Sequence, residues 1–135
     1  MSLFQNTTGA TARDCVLDPK AERIIFVVNR GEMGLAIGKG GSNIKNVQQI
    51  VGKEIELVEW SEDLKQFISN ALNPKMISEV RIVDRPDGSK TVTVVVDQRK
   101  KGAILGKAGR NAEKARMLAK RYFNVDSIQI VTSQQ

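Results

Sequence analysis

Two short stretches of this chain carry the residue types needed to hold a phosphate: Gly38-Lys39-Gly40-Gly41 and Gly106-Lys107-Ala108-Gly109. Glycine at both ends of such a loop permits a tight reversal and removes side chains that would hold an approaching backbone away. If a helix starts at the loop, its free N–H groups and positive dipole end face the loop, and phosphate oxygens are favoured there. Lys39 and Lys107 each add a mobile ammonium. Three readings compete. A Walker P-loop needs four residues between its glycines and a Ser or Thr after the Lys. Here three residues separate Gly34 from Gly38, and Gly40 and Ala108 follow the lysines. A dinucleotide fingerprint needs a third glycine where Asn43 stands, and a strand directly before the loop. The plain alternative is a helix–helix turn whose glycines serve geometry only.

Other chemistries have little to work with. The chain has no histidine and one cysteine, Cys15. Ser/His/Asp and Cys/His triads are therefore impossible, and soft metal sites nearly so. Carboxylate or lysine catalysis survives in principle, but no pair is singled out for it. The expectation is a protein without catalytic residues, metal or cofactor. A lone Cys in a strand and a lone Trp, Trp60, at a strand–helix junction read as packing residues. One cysteine also fits a reducing compartment. No apolar run approaches the roughly 20 residues of a membrane helix, and the start lacks the pattern of a secretory signal. The cytoplasm is the expected location, with no membrane partner.

The elements around the loops repeat. Gly34/Gly102, Gly38/Gly106, Lys39/Lys107, Gly41/Gly109 and Asn43/Asn111 coincide when the chain is slid along itself without a gap. Upstream, Ile24 to Val28 falls on Val92 to Val96; downstream, Ile55 and Leu57 fall on Phe123 and Val125. A duplication follows, with a first domain over 1–60 and a second over 61–135. In the second, Ser61 is expected to cap a helix, with Glu62 and Asp63 in its first turn. Leu64, Phe67, Ile68, Ala71 and Leu72 form that helix's apolar face, and Pro74 stops it. A strand at Val80–Val83, a Pro86-Asp87-Gly88 turn and a strand at Thr91–Val96 follow. Next come a short helix near Lys100–Leu105, the loop, a helix from Gly109 and a strand at Val125–Val131. The first domain repeats this with strands at Arg13–Leu17, Ile24–Val28 and Ile55–Val58. Ile44, Val47, Ile50 and Val51 are expected on the buried face of its last helix. No leading helix is evident in residues 1–11, so that helix is expected to be short or missing.

The net charge of +6 points to a polyanion partner. Nine basic residues lie between Arg99 and Arg121, with Glu113 as the only acid among them. Glu54, Glu56, Glu59, Glu62 and Asp63 form an acidic stretch.

Ile37-Gly38-Lys39-Gly40-Gly41 and Leu105-Gly106-Lys107-Ala108-Gly109 resemble the motif of the K-homology (KH) family, an apolar residue followed by Gly-x-x-Gly between two helices. The element order resembles the type II arrangement. The resemblance implies an α+β fold of two tandem type II KH domains, each helix-strand-strand-helix-GxxG-helix-strand, with a three-stranded sheet and helices packed on one face. Thr8-Gly9-Ala10, Asp14-Cys15-Val16, Arg23 to Val28 and Gly31-Glu32-Met33-Gly34 are similar to the first domain of the archaeal NusA-type transcription termination factors. Pro74 and Gly102 to Gly106 are similar to their second. This implies a single-stranded RNA-binding factor of transcription termination or elongation, with RNA polymerase or other transcription factors as protein partners. Each KH unit grips about four nucleotides. The residues expected at RNA are Ile37, Gly38, Lys39, Gly40, Gly41, Asn43 and Lys45 in the first domain. In the second they are Arg99, Lys100, Lys101, Leu105, Gly106, Lys107, Ala108, Gly109, Arg110, Asn111 and Lys114. Ile44 and Ala112 are further candidates for groove walls. Few aromatic residues, 4%, argue against a stacking sheet of the RRM type. A short connector is expected to hold the domains rigidly and to align their grooves. Two alternatives stand beside this: a KH protein of ribosome assembly or RNA processing, and a protein-interaction scaffold with degenerate KH units that uses the acidic stretch.

Overall fold

An unbroken apolar run flanked by turns is the signature of a central strand, and Ile24 to Val28 behaves as one. The computed structural model describes residues 2–106 and 109–133, in two compact units, Met1–Ser61 and Glu62–Gln135. The first unit runs α1 (Ser2–Thr8), β1 (Ala12–Asp18), β2 (Arg23–Val28), α2 (Met33–Ile37), α3 (Ser42–Val51) and β3 (Glu54–Glu59). The sheet order is β1-β2-β3, with β1 antiparallel and β3 parallel to β2. A parallel neighbour requires a crossover, and α2, the glycine loop and α3 supply it. Ile24, Phe26 and Val28 of β2 and Ile55 of β3 form one core with Phe4, Ala36 and Val47 from the three helices.

The leading helix not evident in the sequence is present as α1, seven residues long. Leu3 and Phe4 are its only apolar residues, so it carries no periodic signal, and Leu3 is exposed. Tertiary packing holds the helix instead. Phe4 is buried and stacks on Phe26 with ring centroids 4.4 Å apart. The Thr8 hydroxyl donates to the Phe4 carbonyl at 2.8 Å and accepts from the Ala10 N–H at 3.0 Å, closing the helix end. In α3, Ile50 is 57% exposed, contrary to expectation. Ile44, Val47 and Val51 supply the inward stripe, and Ile50 lies on the opposite side of Val47 from that stripe.

The second unit runs α4 (Leu64–Leu72), β4 (Ile77–Asp84), β5 (Lys90–Val96), α5 (Lys101–Leu105), α6 (Arg110–Phe123) and β6 (Val125–Thr132). Its sheet repeats the topology, β4-β5-β6 with β4 antiparallel and β6 parallel to β5. The cap of α4 is Asp63, two residues later than the expected Ser61. The Asp63 carboxylate accepts the Lys65 N–H at 3.3 Å. Burial of Leu64 as the first helical residue sets this start. Replacing Asp63 by Ala is expected to cost about 0.5–1 kcal/mol, read as faster amide exchange confined to the first turn of α4.

The two copies diverge after the loop. Helix α6 has 14 residues where α3 has 10, and Asn124 closes it in the left-handed conformation where Gly52 closes α3. Phe123 is therefore helical, packing against Phe67 at 5.4 Å, and does not correspond to Ile55. Ile24 pairs with Ile55 while Val92 pairs with Ile128, after a register shift between Lys90 and Thr91. The gap-free correspondence of Ile55 and Leu57 with Phe123 and Val125 thus fails in space.

Each hairpin ends in an ion pair, with opposite burial. Arg23, 2% exposed, donates to Asp18 at 2.8 Å and also binds Glu56. The acidic stretch is thus partly answered by a cation distant in sequence. In the second unit the pair is Lys90–Asp84 at 2.6 Å, on the surface.

Candidate nucleic-acid interface

In both units the described glycines of the loop are placed the same way. Helix α2 ends at Gly38, whose φ/ψ of 76°/171° lies in a region open essentially to glycine alone. Gly38 N–H donates to Gly34 O at 2.9 Å, and Gly41 N–H to Gly38 O at 3.1 Å, drawing Lys39–Gly41 into one 3-10 turn. Gly41, left-handed at 81°/14°, precedes α3 without any side-chain cap. Gly106 (77°/173°) and Gly109 (74°/18°) repeat these angles, with Gly106 N–H on Gly102 O and Gly109 N–H on Gly106 O, both at 3.1 Å. Lys107 and Ala108 lie outside the described residues.

The glycines are not equivalent. A Cβ on Gly38 would fall 2.7 Å from both the backbone N and Cγ of Asn43, and one on Gly106 would fall 3.0 Å from Cγ and Nδ2 of Asn111. A Cβ on Gly40 or Gly109 would meet nothing within 4 Å, and one on Gly41 only Cε of Lys45 at 3.8 Å. The first glycine of each motif is therefore demanded from inside the protein, whereas the later ones keep the outer surface bare.

The remaining expected site residues divide by environment. Ile37 is 40% exposed beside the loop, and Lys39, Lys45 and Lys100 are exposed. Lys101, Leu105, Arg110, Asn111 and Ala112 are half-buried. Ile44 is partly buried and packs against the core, so its inward face is already used. The Arg99 side chain is exposed but engaged. It donates to Asp97 through Nη2 at 3.0 Å and Nε at 3.3 Å, holding that carboxyl below its ordinary pKa. Asp97 also accepts the Arg99 N–H, capping the turn that leads into α5. Lys114 departs from its expected role: it is buried, because it shares the inward side of α6 with Ala115 and Leu118. Its aliphatic stem suits that setting, and the residue has interactions within the protein. Asn43, half-buried, is engaged within the protein. Its Nδ2 donates to the Leu35 carbonyl at 2.7 Å and, at 3.4 Å, to the Thr8 carbonyl. Sequence reasoning missed Leu35 and Glu32, which receives the Thr11 N–H at 2.6 Å and fixes the start of α2. A backbone acceptor leaves no sequence signal; the repeat of Asn43 at Asn111 was the available clue. Cys15 packs against the core, and burial pushes its thiol pKa up, as befits an inert packing residue. Among the described residues no group of three or more His, Cys, Asp or Glu could hold a metal, and no helix is long and apolar enough to cross a membrane.

Two sheet-and-helix units, each turning from a short helix into a long one through Gly-x-x-Gly, define a tandem KH protein, a class that binds single-stranded RNA. Residues 1–62 match the KH domain family and residues 64–133 the NusA-like second KH domain. The chain is 43% identical over 131 residues to the probable transcription termination protein NusA of Methanococcus vannielii, a match covering 97% of this chain and 74% of that one. It is 35% identical to the like-named protein of Halobacterium salinarum, covering 96% and 91%. The crystal structure of APE1850 superposes with a TM-score of 0.85 at 39% identity, covering 96% and 93%. The chain belongs to the NusA family.

Proposed function

We propose that this protein grips nascent single-stranded RNA through both Gly-x-x-Gly loops and acts in transcription termination or elongation. The reading rests above all on one observation: the first and last glycines of both motifs take matching angles, and the last stands uncapped at the head of a long helix. In this reading the backbone of Gly38–Gly41 and of Gly106–Gly109 meets phosphates. Ile37 and Leu105 line the base grooves, with Ala112 beside them. Lys39, Lys45, Lys100, Lys101, Lys107 and Arg110 add charge, with Arg99 shared between RNA and Asp97. The relatives' names support a place in transcription. RNA polymerase or another transcription factor is the protein partner in this reading, and the cytoplasm the location. The protein acts by binding and not as an enzyme.

A titration of unstructured RNA, duplex RNA and single-stranded DNA across salt concentrations tests this. Single-stranded RNA is expected to bind best, with log K falling by about 0.7 per phosphate neutralised for each tenfold rise in salt. Equal affinity for every polyanion would reduce the protein to a nonspecific basic surface and sink the proposal.

A further inference from the structure

We infer that Asn43 is a positioning residue that sets the shape of the first RNA-gripping loop from behind, without touching RNA. The inference deepens the RNA-binding reading and rests on it for its functional half. Three observations converge on this side chain. Its amide donates to the Leu35 carbonyl, in the last turn of α2, at 2.7 Å. A longer contact of 3.4 Å reaches the Thr8 carbonyl, the last residue of α1. Its backbone N and Cγ fill the space where a Cβ on Gly38 would stand, 2.7 Å away. Asn43 sits in the first turn of α3, so one side chain ties the start of that helix to the ends of the other two.

This arrangement explains why glycine is needed at position 38. The φ/ψ of Gly38 is unavailable to other residues, and the space it leaves is where Asn43 packs. Neither constraint comes from RNA. Asn43 thus acts as a latch behind the turn that the Gly38 and Gly41 N–H bonds close, and the apex at Lys39–Gly40 is left exposed. Asn111 packs against Gly106 in a similar way, with Cγ and Nδ2 both 3.0 Å from the Cβ position. The second unit therefore shares the close packing of an Asn on the first glycine of its motif. A chemically neutral amide suits the role, since a carboxylate there would face carbonyl oxygens with no proton to offer.

The test uses the full chain with the second loop silenced by Lys107→Asp and Ala108→Asp. Into it go Asn43→Ala and, as a control of general destabilisation, Val47→Ala, which trims a buried residue of the same helix. Amide exchange is read at Gly38 and Gly41 in the RNA-free protein, and affinity is read with an unstructured RNA oligonucleotide. Asn43→Ala is expected to raise exchange at both glycines about tenfold. It should weaken RNA roughly tenfold, as the competent loop becomes a minor population. Val47→Ala should lower the melting temperature yet leave both readouts within about twofold. Unchanged loop exchange in Asn43→Ala overturns the proposal, and if RNA affinity still falls, Asn43 contacts RNA directly. An equal rise in exchange in Val47→Ala overturns it too, making Asn43 one core contact among others. Should the starting protein fail to bind RNA, the RNA-binding reading falls, while the exchange data still decide whether the latch exists.

Discussion

Gly40→Asp combined with Gly41→Asp is expected to weaken RNA at the first unit by roughly a hundredfold while leaving the unit folded. A Cβ at either position meets no backbone, only open space or the far end of Lys45, so the fold has room for both side chains. Both residues are left-handed, at 63°/20° and 81°/14°, a conformation Asp adopts more readily than most residues, at about 1 kcal/mol each. Against RNA the outcome differs. A carboxylate held about 5 Å from a phosphate costs roughly 1–3 kcal/mol, depending on how much water intervenes, and two carboxylates act together. Gly40→Asn with Gly41→Asn is the matching neutral pair and should lose far less. Fluorescence anisotropy with the second loop silenced measures both pairs. Equal losses in the Asn and Asp pairs would mean that no phosphate approaches this turn.

Arg23→Met should destabilise the first unit by about 3–5 kcal/mol near pH 7, because it strands two carboxylates whose cation is buried. Burial alone pushes the Asp18 carboxyl up. Hydrogen bonds from the Arg23 side chain and the Ala21 N–H, with the Arg23 charge, outweigh that push and hold it below its ordinary value. A carboxyl lowered on folding stabilises fully above its unfolded pKa of about 3.9, and that contribution is lost as the pH falls through the lower native value. The parent should therefore lose stability below about pH 4. In Arg23→Met the burial remains and the cation is gone, so the deficit should be largest at neutral pH and shrink toward pH 3. Trp60 is the only tryptophan, and its backbone N–H donates to the Val28 carbonyl at 2.8 Å, which places it in the first unit. Its emission therefore follows unfolding of the right half of the molecule in urea. A deficit that stayed constant between pH 7 and pH 3 would show that lost packing, and not stranded charge, accounts for the effect. The exposed Lys90–Asp84 pair gives the contrast: its removal should change stability by under about 1 kcal/mol.

Much of the architecture could be read along the chain because local signals were strong. The β2 and β5 runs, the turn at Pro86-Asp87-Gly88 and the repeated glycine pattern each imply their conformation within a few residues. The readings that failed depend on distant partners. α1 is a polar segment made helical by Phe4 docking on Phe26. The start of α4 moved to Asp63 because Leu64 is where burial begins. Ile50 faces solvent and Lys114 faces inward, the reverse of what their residue types suggest. The same division runs through the candidate site, where the sequence located both loops but the direction of the Asn43 amide required a carbonyl eight residues away.

By itself, then, the sequence determined where the chain reverses on glycine and which runs form strands, since backbone sterics and side-chain periodicity act over neighbouring residues. Only the tertiary structure decided which polar groups meet: buried Arg23 with Asp18 and Glu56, and half-buried Asn43 with two helix ends. The physical reason is that a buried polar group must find a partner, and a partner's position depends on how whole elements pack.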